Sequence, residues 1–212
     1  MKKAFTLAEV LIVVSIVSVV AAITMPQFIT SQFEDQMATK LTKVQGVLGN
    51  AIEVATRSNG MISDWGTSVN NYYKIISPNL KIDTNANSGQ GAFADKWTFL
   101  SGSSGNAQTS KGYGNMTNFT LTDGTAVGMR MDSNKAFYGV SSQKFSNSNF
   151  LVILVDLNGK KGPNVLGRDM YFFVLADKGL IPAGIDSAAT CVKGQSGSTC
   201  TAKFLNNKEF KF

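Results

Sequence analysis

Residues 1–28 read MKKAFTLAEVLIVVSIVSVVAAITMPQF, and this stretch decides what kind of fold the chain can have. Two lysines precede an apolar run that extends from Phe5 to Met25 and contains a single charged residue, Glu9. As a helix, this run is about 31 Å long, which matches the hydrocarbon core of a bilayer. A carboxylate inside such a run costs about 2.5–3.5 kcal/mol on insertion scales, so the presence of Glu9 calls for a functional explanation.

Two ordinary interpretations of the run leave Glu9 without a role. The basic start and the small residues Val20-Ala21-Ala22 fit a secretory signal cleaved after Ala22, which would release an exported soluble protein. An uncleaved membrane anchor fits the length of the run equally well. In a further alternative, the Glu9 side chain snorkels to the bilayer edge and needs no partner.

The segment AFTLAEVLI, residues 4–12, resembles the N-terminal signature of type IV pilins and of the pseudopilins of type II secretion. In that family a short basic leader is removed on the cytoplasmic side, just before a Phe, and the apolar helix stays on the mature protein. The resemblance implies cleavage between Ala4 and Phe5, N-methylation of Phe5, and an acid at the fifth mature position, where Glu9 stands. Ala4 replaces the usual Gly before the cut, and Pro26 stands where pilin helices commonly carry a proline.

The charge of Glu9 has a physical explanation in an assembly. After cleavage the α-amine of Phe5 would have a pKa of about 8 and be largely charged. An amine at the tip of one helix can pair with Glu9 of a neighbouring copy, which neutralises a charge that is costly in lipid. Such pairing also fixes the axial stagger between copies, as a buried polar residue fixes register in coiled coils. We therefore expect Glu9 and Pro26 to belong to an assembling helix.

Beyond Pro26 the apolar residues follow a helical period. They step by three or four residues through Ile29, Phe33, Met37, Leu41, Val44, Leu48, Ala51 and Ala55. Ser58-Asn59-Gly60 is a typical C-terminal signal, so we expect one helix of about 50 residues that ends near Arg57. Pro26 is expected to kink this helix rather than to end it.

The remaining sequence predicts a small antiparallel sheet. Asp123-Gly124 separates two alternating runs, which is a good hairpin signal. FLVILVD at 150–156 is typical of a buried central strand, MYFFVL at 170–175 of its neighbour, and 97–100 of a short strand. Tyr171, Phe172 and Phe173 are expected in the core.

Two polar segments connect these elements, an irregular stretch at 64–92 and a flexible surface loop at 101–115. The expected fold class is α+β: a long N-terminal helix packed on a small antiparallel sheet, as in pilins. The expected division is a leader at 1–4, a membrane-spanning and filament-core helix at 5–26, an amphipathic helix packed on the globular domain at 27–60, and a β-rich globular domain at 61–212.

Cys191 and Cys200 enclose a short segment rich in Gly and Ser, so their side chains can meet. Because the N-terminus is export-like, we expect a disulfide between them. The alternative is two unpaired thiols that pack as small hydrophobes. The spacing fits no common zinc pattern, and the chain has no His to complete one.

The segment DLNGKKGPNVLGRD, residues 156–169, offers oxygen ligands of the kind that Ca²⁺ prefers. The candidate ligands are Asp156, Asn158, Asn164 and Asp169. The segment is similar, in place and composition only, to the C-terminal calcium loop of major pseudopilins, and three basic residues within it oppose a strong cation site. In the alternative interpretation the segment is a strand connection whose carboxylates cap backbone amides. No other cofactor is indicated.

The sequence predicts a structural subunit rather than an enzyme, because no nucleophile or cofactor motif accompanies the acids. The expected partners are copies of itself or other pilins, a prepilin peptidase, an inner-membrane assembly platform and the membrane. We expect the protein in the inner membrane before assembly and then in a periplasmic or cell-surface filament. A minor tip subunit or adhesin that binds DNA or a surface is an alternative, supported by the net charge of +6 but by no basic block.

Overall fold

The computed structural model describes residues 6–88, 91–106 and 116–207. The expectations for Ala4 and Phe5, for the Pro26 side chain and for residues 107–115 lie outside the described part. Contacts along the chain divide it into two compact units, the first ending at Gln36 and the second starting at Met37. Each unit is therefore described by itself.

The first element is a single helix, α1 (Leu7–Asn59), of 53 residues. Gly60 follows it with φ of 80°, a conformation that glycine adopts without a steric penalty, and its N–H donates to Thr56 O at 3.0 Å. The prediction of one helix of about 50 residues that ends at Ser58-Asn59-Gly60 is confirmed.

The segment Leu7–Met25 of α1 is long and apolar enough to cross a membrane, with a mean hydropathy of 2.5. None of it is buried within the chain. Leu11, for example, is 62% exposed. Because exposed apolar surface of this extent is unfavourable in water, the segment requires an apolar environment.

From Met37 onward one face of α1 is buried. The predicted stripe positions that are 3% exposed or less are Met37, Leu41, Val44, Leu48, Ala51 and Ala55. Ile29, in the first unit, is 63% exposed although it lies on the same sequence period. The predicted stripe is therefore buried within its own fold only in the second unit.

The second unit contains eight strands among its described residues. They are β1 (Ile82–Ser88), β2 (Lys96–Thr98), β3 (Ser104–Asn106), β4 (Thr117–Leu121), β5 (Ala126–Asp132), β6 (Phe150–Asp156), β7 (Met170–Ala176) and β8 (Gly179–Pro182). Six form an antiparallel sheet in the order β1-β4-β5-β6-β7-β8, and β2 pairs with β3. Two short helices, α2 (Val69–Ile76) and α3 (Cys200–Asn207), complete the unit together with four turns of 3-10 helix. The α+β fold class is confirmed.

The predicted hairpin and the predicted central strand pair are confirmed. Asp123-Gly124 forms the turn between β4 and β5, where Asp123 Oδ1 accepts from Thr125 N at 3.1 Å. Strands β6 and β7 pair antiparallel, with Ile153 opposite Phe173, and all of their residues are buried. Both faces of this pair are therefore covered, which explains why its sequence is continuously apolar rather than alternating.

Two local predictions were wrong, and a third was right about the element but not about its bounds. The stretch 64–92 is not irregular, because it contains α2 and β1, and residues 104–106 of the expected loop pair with β2. The short strand expected at 97–100 lies at Lys96–Thr98. Strand β1 is at the sheet edge and reads IDTNANS, so it carries almost none of the apolar alternation by which strands are found. Helix α2 has only a weak apolar periodicity in its sequence, because it has eight residues and buries only Tyr72 and Ile76.

Candidate functional site

The first turn of α1 holds Glu9 in a reciprocal cap with Thr6. Glu9 Oε2 accepts from the backbone N–H and from the Oγ1 hydroxyl of Thr6, each at 2.8 Å. In return, Glu9 N donates to Thr6 Oγ1 at 3.3 Å. This is a capping box, which satisfies backbone N–H groups that a helix start leaves without partners. Its T-x-x-E pattern stands in the sequence, but sequence reasoning did not pair Glu9 with Thr6.

The other polar side chains of Leu7–Met25 bond within the helix. Ser15 Oγ donates to Ile12 O at 2.8 Å, and Ser18 Oγ donates to Val14 O at 2.7 Å. Thr24 Oγ1 donates to Val20 O at 3.0 Å. Because each hydroxyl proton has a carbonyl partner in its own helix, these side chains suit an apolar environment. Glu9 is the only ionisable group in this segment.

In the second unit, the two acids of the 156–169 loop are fully buried and bind backbone amides. Asp156, the last residue of β6, accepts from Asn158 N at 3.2 Å. Asp169, just before β7, accepts from Asn164 N at 2.8 Å and from Val165 N at 2.7 Å. The structure thus brings all four candidate calcium ligands together, with hydrogen bonds of the kind expected for a capped strand connection.

Burial shifts the ionisation of both acids. It raises the pKa of Asp156 to about 8, and the negative charge of Asp169 adds to this effect. Burial also raises the pKa of Asp169. Lys40 acts in the opposite direction on the pKa of Asp156, since a nearby positive charge favours the carboxylate. The pair therefore tends to retain a proton around neutral pH.

The two asparagines of the loop are largely engaged by its own backbone. Asn158 Nδ2 donates to Gly162 O at 3.1 Å, and Asn158 Oδ1 is buried without a hydrogen-bond partner among the described residues. With its amide nitrogen turned toward them, Asn164 donates to Gly159 O and Lys161 O at 3.1 Å. The described residues contain no group of three or more His, Cys, Asp or Glu placed to hold a metal. Calcium binding by this loop stays a prediction.

Beside this loop, the second unit has a groove of about 390 Å³ that contains lysines from distant parts of the sequence. We call Lys40, Lys160 and Lys161 the lysine patch. Lys40 Nζ donates to Leu157 O at 3.3 Å, whereas Lys160 and Lys161 are exposed and form no ion pair with any described residue. Sequence reasoning missed the patch because the fold, not the sequence, brings α1 and the 156–169 loop together.

The predicted disulfide is present in the structure. Cys191 and Cys200 are joined, with their Cα atoms 4.7 Å apart, and both are buried. The loop that they close packs tightly on its neighbours. A Cβ at Gly184 would lie 2.0 Å from Thr199 O, so no other residue fits there without a backbone shift. Ser198 Oγ also donates to Phe137 O at 2.6 Å.

Comparison with protein families identifies the N-terminus. Residues 1–25 match the family model described as a prokaryotic N-terminal methylation motif. This motif is the class III signal peptide of type IV pilins and pseudopilins, so the resemblance found in residues 4–12 is confirmed. The motif implies processing by a prepilin peptidase and, with the apolar helix, a membrane-anchored, exported, pilin-like protein. No curated protein and no solved structure matches the chain.

Proposed function

We propose that this protein is a structural subunit of a type IV pilus-like or pseudopilus filament and that it assembles through α1. The proposal rests on the segment Leu7–Met25, which lies within the methylation motif at residues 1–25 and is nowhere buried within the chain. A bilayer would cover this segment before assembly, and helices of neighbouring copies would cover it afterwards. Burial of apolar surface contributes about 25 cal/mol per Å², so contact along the helix supplies the driving force outside lipid.

In this proposal, leader removal and assembly are chemically coupled. Cleavage between Ala4 and Phe5 creates an α-amine that the precursor does not have at this position. The amine pairs with Glu9 of an adjoining copy and lowers the cost of both charges in apolar surroundings. A subunit that keeps residues 1–4 lacks this amine and cannot form the pair.

The subunit would be held in the inner membrane first and in a periplasmic or cell-surface filament later. Its partners would be a prepilin peptidase, an inner-membrane assembly platform, and copies of itself or other pilins. The role is structural rather than enzymatic.

The experiment that tests the proposal is mass spectrometry of the mature N-terminus. The full chain is expressed with a prepilin peptidase and, as a control, with an inactive one. We expect a chain that starts at Phe5 and carries an N-methyl group only when the peptidase is active. A chain that starts at Ile23 in both samples would show an ordinary secretory signal, and the filament proposal would be wrong.

A second candidate function, DNA binding by an exposed subunit, is favoured by the lysine patch. Lys160 and Lys161 line a concave surface, and phosphate groups are the usual partners of such lysines. The test compares Lys160→Gln/Lys161→Gln with Lys178→Gln/Lys193→Gln, which removes the same charge at two other exposed positions. Binding of the full chain to a short duplex is measured as a function of salt.

If the patch binds DNA, the first variant weakens binding and lowers the log–log salt slope by about 2, because each phosphate contact contributes about 0.9. The second variant should leave the slope unchanged. Equal losses in the two variants would indicate unspecific attraction and would exclude the patch.

A further inference from the structure

We infer that Thr6 is a positioning residue that holds the Glu9 carboxylate with one oxygen engaged in its own helix and the other oxygen directed to a second copy. The inference rests on the proposed function, because the second copy is the neighbouring filament subunit. The proposed pairing by itself requires Glu9 but gives Thr6 no role.

The two oxygens of Glu9 are used unequally. Both donors of Thr6, its backbone N–H and its hydroxyl, converge on Oε2 at 2.8 Å. Within the described part of the chain, Oε1 has no hydrogen-bond partner. A carboxylate offers about four acceptor positions, so the cap uses one side of the group and leaves the other for an additional donor. The neighbour's amine can therefore add to the cap instead of replacing it.

The cap gives the separate subunit two advantages in an apolar environment. It satisfies N–H groups at the helix start, which in hydrocarbon have no water to bond with. It also places a negative charge at the positive end of the helix dipole, where that charge is favourable. The Glu9 side chain loses its rotamer freedom when the cap forms, so little of this freedom remains to be lost when a second copy binds.

The position of the cap links it to processing. Thr6 lies directly after Phe5, so the capped turn begins one residue beyond the expected cut. Cleavage leaves the Thr6 N–H in a peptide bond, and the three hydrogen bonds of the cap can persist in the mature chain. The carboxylate is thus held in one orientation at the moment when the α-amine of a neighbour becomes available.

The test separates the hydroxyl of Thr6 from the charge of Glu9. Thr6→Val removes the hydroxyl and keeps the side-chain shape, Thr6→Ser restores a hydroxyl, and Glu9→Gln keeps an acceptor for the cap without the charge. The readouts are filament yield and the amount of intermolecular amide formed by a carbodiimide between the Phe5 amine and Glu9. Both are normalised to the subunit that starts at Phe5.

We expect Thr6→Val to lower both readouts by about three- to thirty-fold, the equilibrium effect of losing a helix cap. Thr6→Ser should restore both, and Glu9→Gln should abolish the crosslink and the filaments. If Thr6→Val is not cleaved, Thr6→Ala supplies a second variant without the hydroxyl.

Two different failures can be told apart. If Thr6→Val assembles and crosslinks like the natural chain while Glu9→Gln does not, the positioning role of Thr6 is wrong and the proposed function stands. If Glu9→Gln forms normal filaments, the pairing itself is wrong, whatever Thr6 does.

Discussion

The two parts of α1 have the same backbone conformation, but apolar side chains are exposed in the first part and buried in the second. Leu11, in the first unit, is 62% exposed, whereas Leu48, in the second unit, is fully buried. Both lie in regular helix and both are apolar, so neither helix propensity nor residue type distinguishes them. The difference lies in what covers them: the second unit has its own core, and the first has to obtain its apolar environment from a membrane or from other molecules.

A matched pair of substitutions should give the largest effect and tests this comparison directly. Leu48→Ala should lower the free energy of unfolding of the second unit by about 2–5 kcal/mol, because it leaves a cavity in a packed core. Leu11→Ala removes the same atoms and should leave that free energy unchanged. Trp65 and Trp97, the two tryptophans of the chain, both lie in the second unit, so tryptophan fluorescence of the full chain in detergent follows its unfolding.

Equal losses of stability in Leu48→Ala and Leu11→Ala would mean that the second unit depends on the apolar segment. In that case the two units would not be energetically separate.

Removal of the disulfide should have the next largest effect and should again be confined to the second unit. Cys191→Ala/Cys200→Ala should lower its free energy of unfolding by about 2–3 kcal/mol, since the bridge closes a loop between residues nine positions apart. Chemical denaturation with fluorescence detection measures the loss. Reductant should produce a similar loss in the natural chain and none in the double variant; an effect on the variant would point to a cause other than the disulfide.

A smaller effect is expected from pH through Asp156. Its pKa in the folded state is about 8, above the ordinary value of about 3.9 in an unfolded chain, so the folded state binds this proton more tightly. The resulting stabilisation is complete below pH 4 and is lost as the pH rises toward 8. The Tm of the second unit should fall by several degrees over this range, and Asp156→Asn should flatten the profile.

Asp186→Asn is the control for this pH profile. A hydrogen bond from the Lys144 ammonium and one from Ser141 N lower the pKa of Asp186, so its stabilisation is present above pH 4 and is lost as the pH falls further. This variant should keep the slope between pH 5 and 8. A natural chain with no slope in that range would show that Asp156 stays ionised.

The smallest effect is expected from calcium. Because backbone amides already bind Asp156 and Asp169 and three basic residues lie in the same loop, millimolar Ca²⁺ should shift the Tm by less than about 1 °C. Thermal unfolding with Ca²⁺ and with a chelator measures the shift. A rise of several degrees that Asp169→Asn abolishes would instead establish the cation site.

The parts of the fold that could be predicted are those with long or strong local signals. The 53-residue helix, the Asp123-Gly124 hairpin and the pair β6–β7 each combine an apolar pattern with a clear boundary. Strand β1 and helix α2 escaped prediction because an edge strand of polar residues and an eight-residue helix carry little periodicity. Their structure depends on neighbours that are distant in the sequence.

The candidate sites divide in the same way. Glu9 could be found because a carboxylate is unusual inside an apolar run. The cysteine pair could be found because both cysteines lie in one short segment. The lysine patch could not, because Lys40 and Lys160 are 120 positions apart. The Thr6–Glu9 cap has a sequence signature, the T-x-x-E pattern at residues 6–9, and could therefore have been predicted.

The disulfide loop offers a practical route to following the protein in cells. At its base, Thr199 O leaves no room for a side chain on the neighbouring Gly184, whereas residues 192–195 at the outer part of the loop are exposed. A small epitope or fluorophore-binding tag inserted beside Gly194 would project from a cross-linked, well-anchored base. Microscopy of such a tagged chain would test whether the proposed filaments form while the apolar N-terminal segment remains untouched.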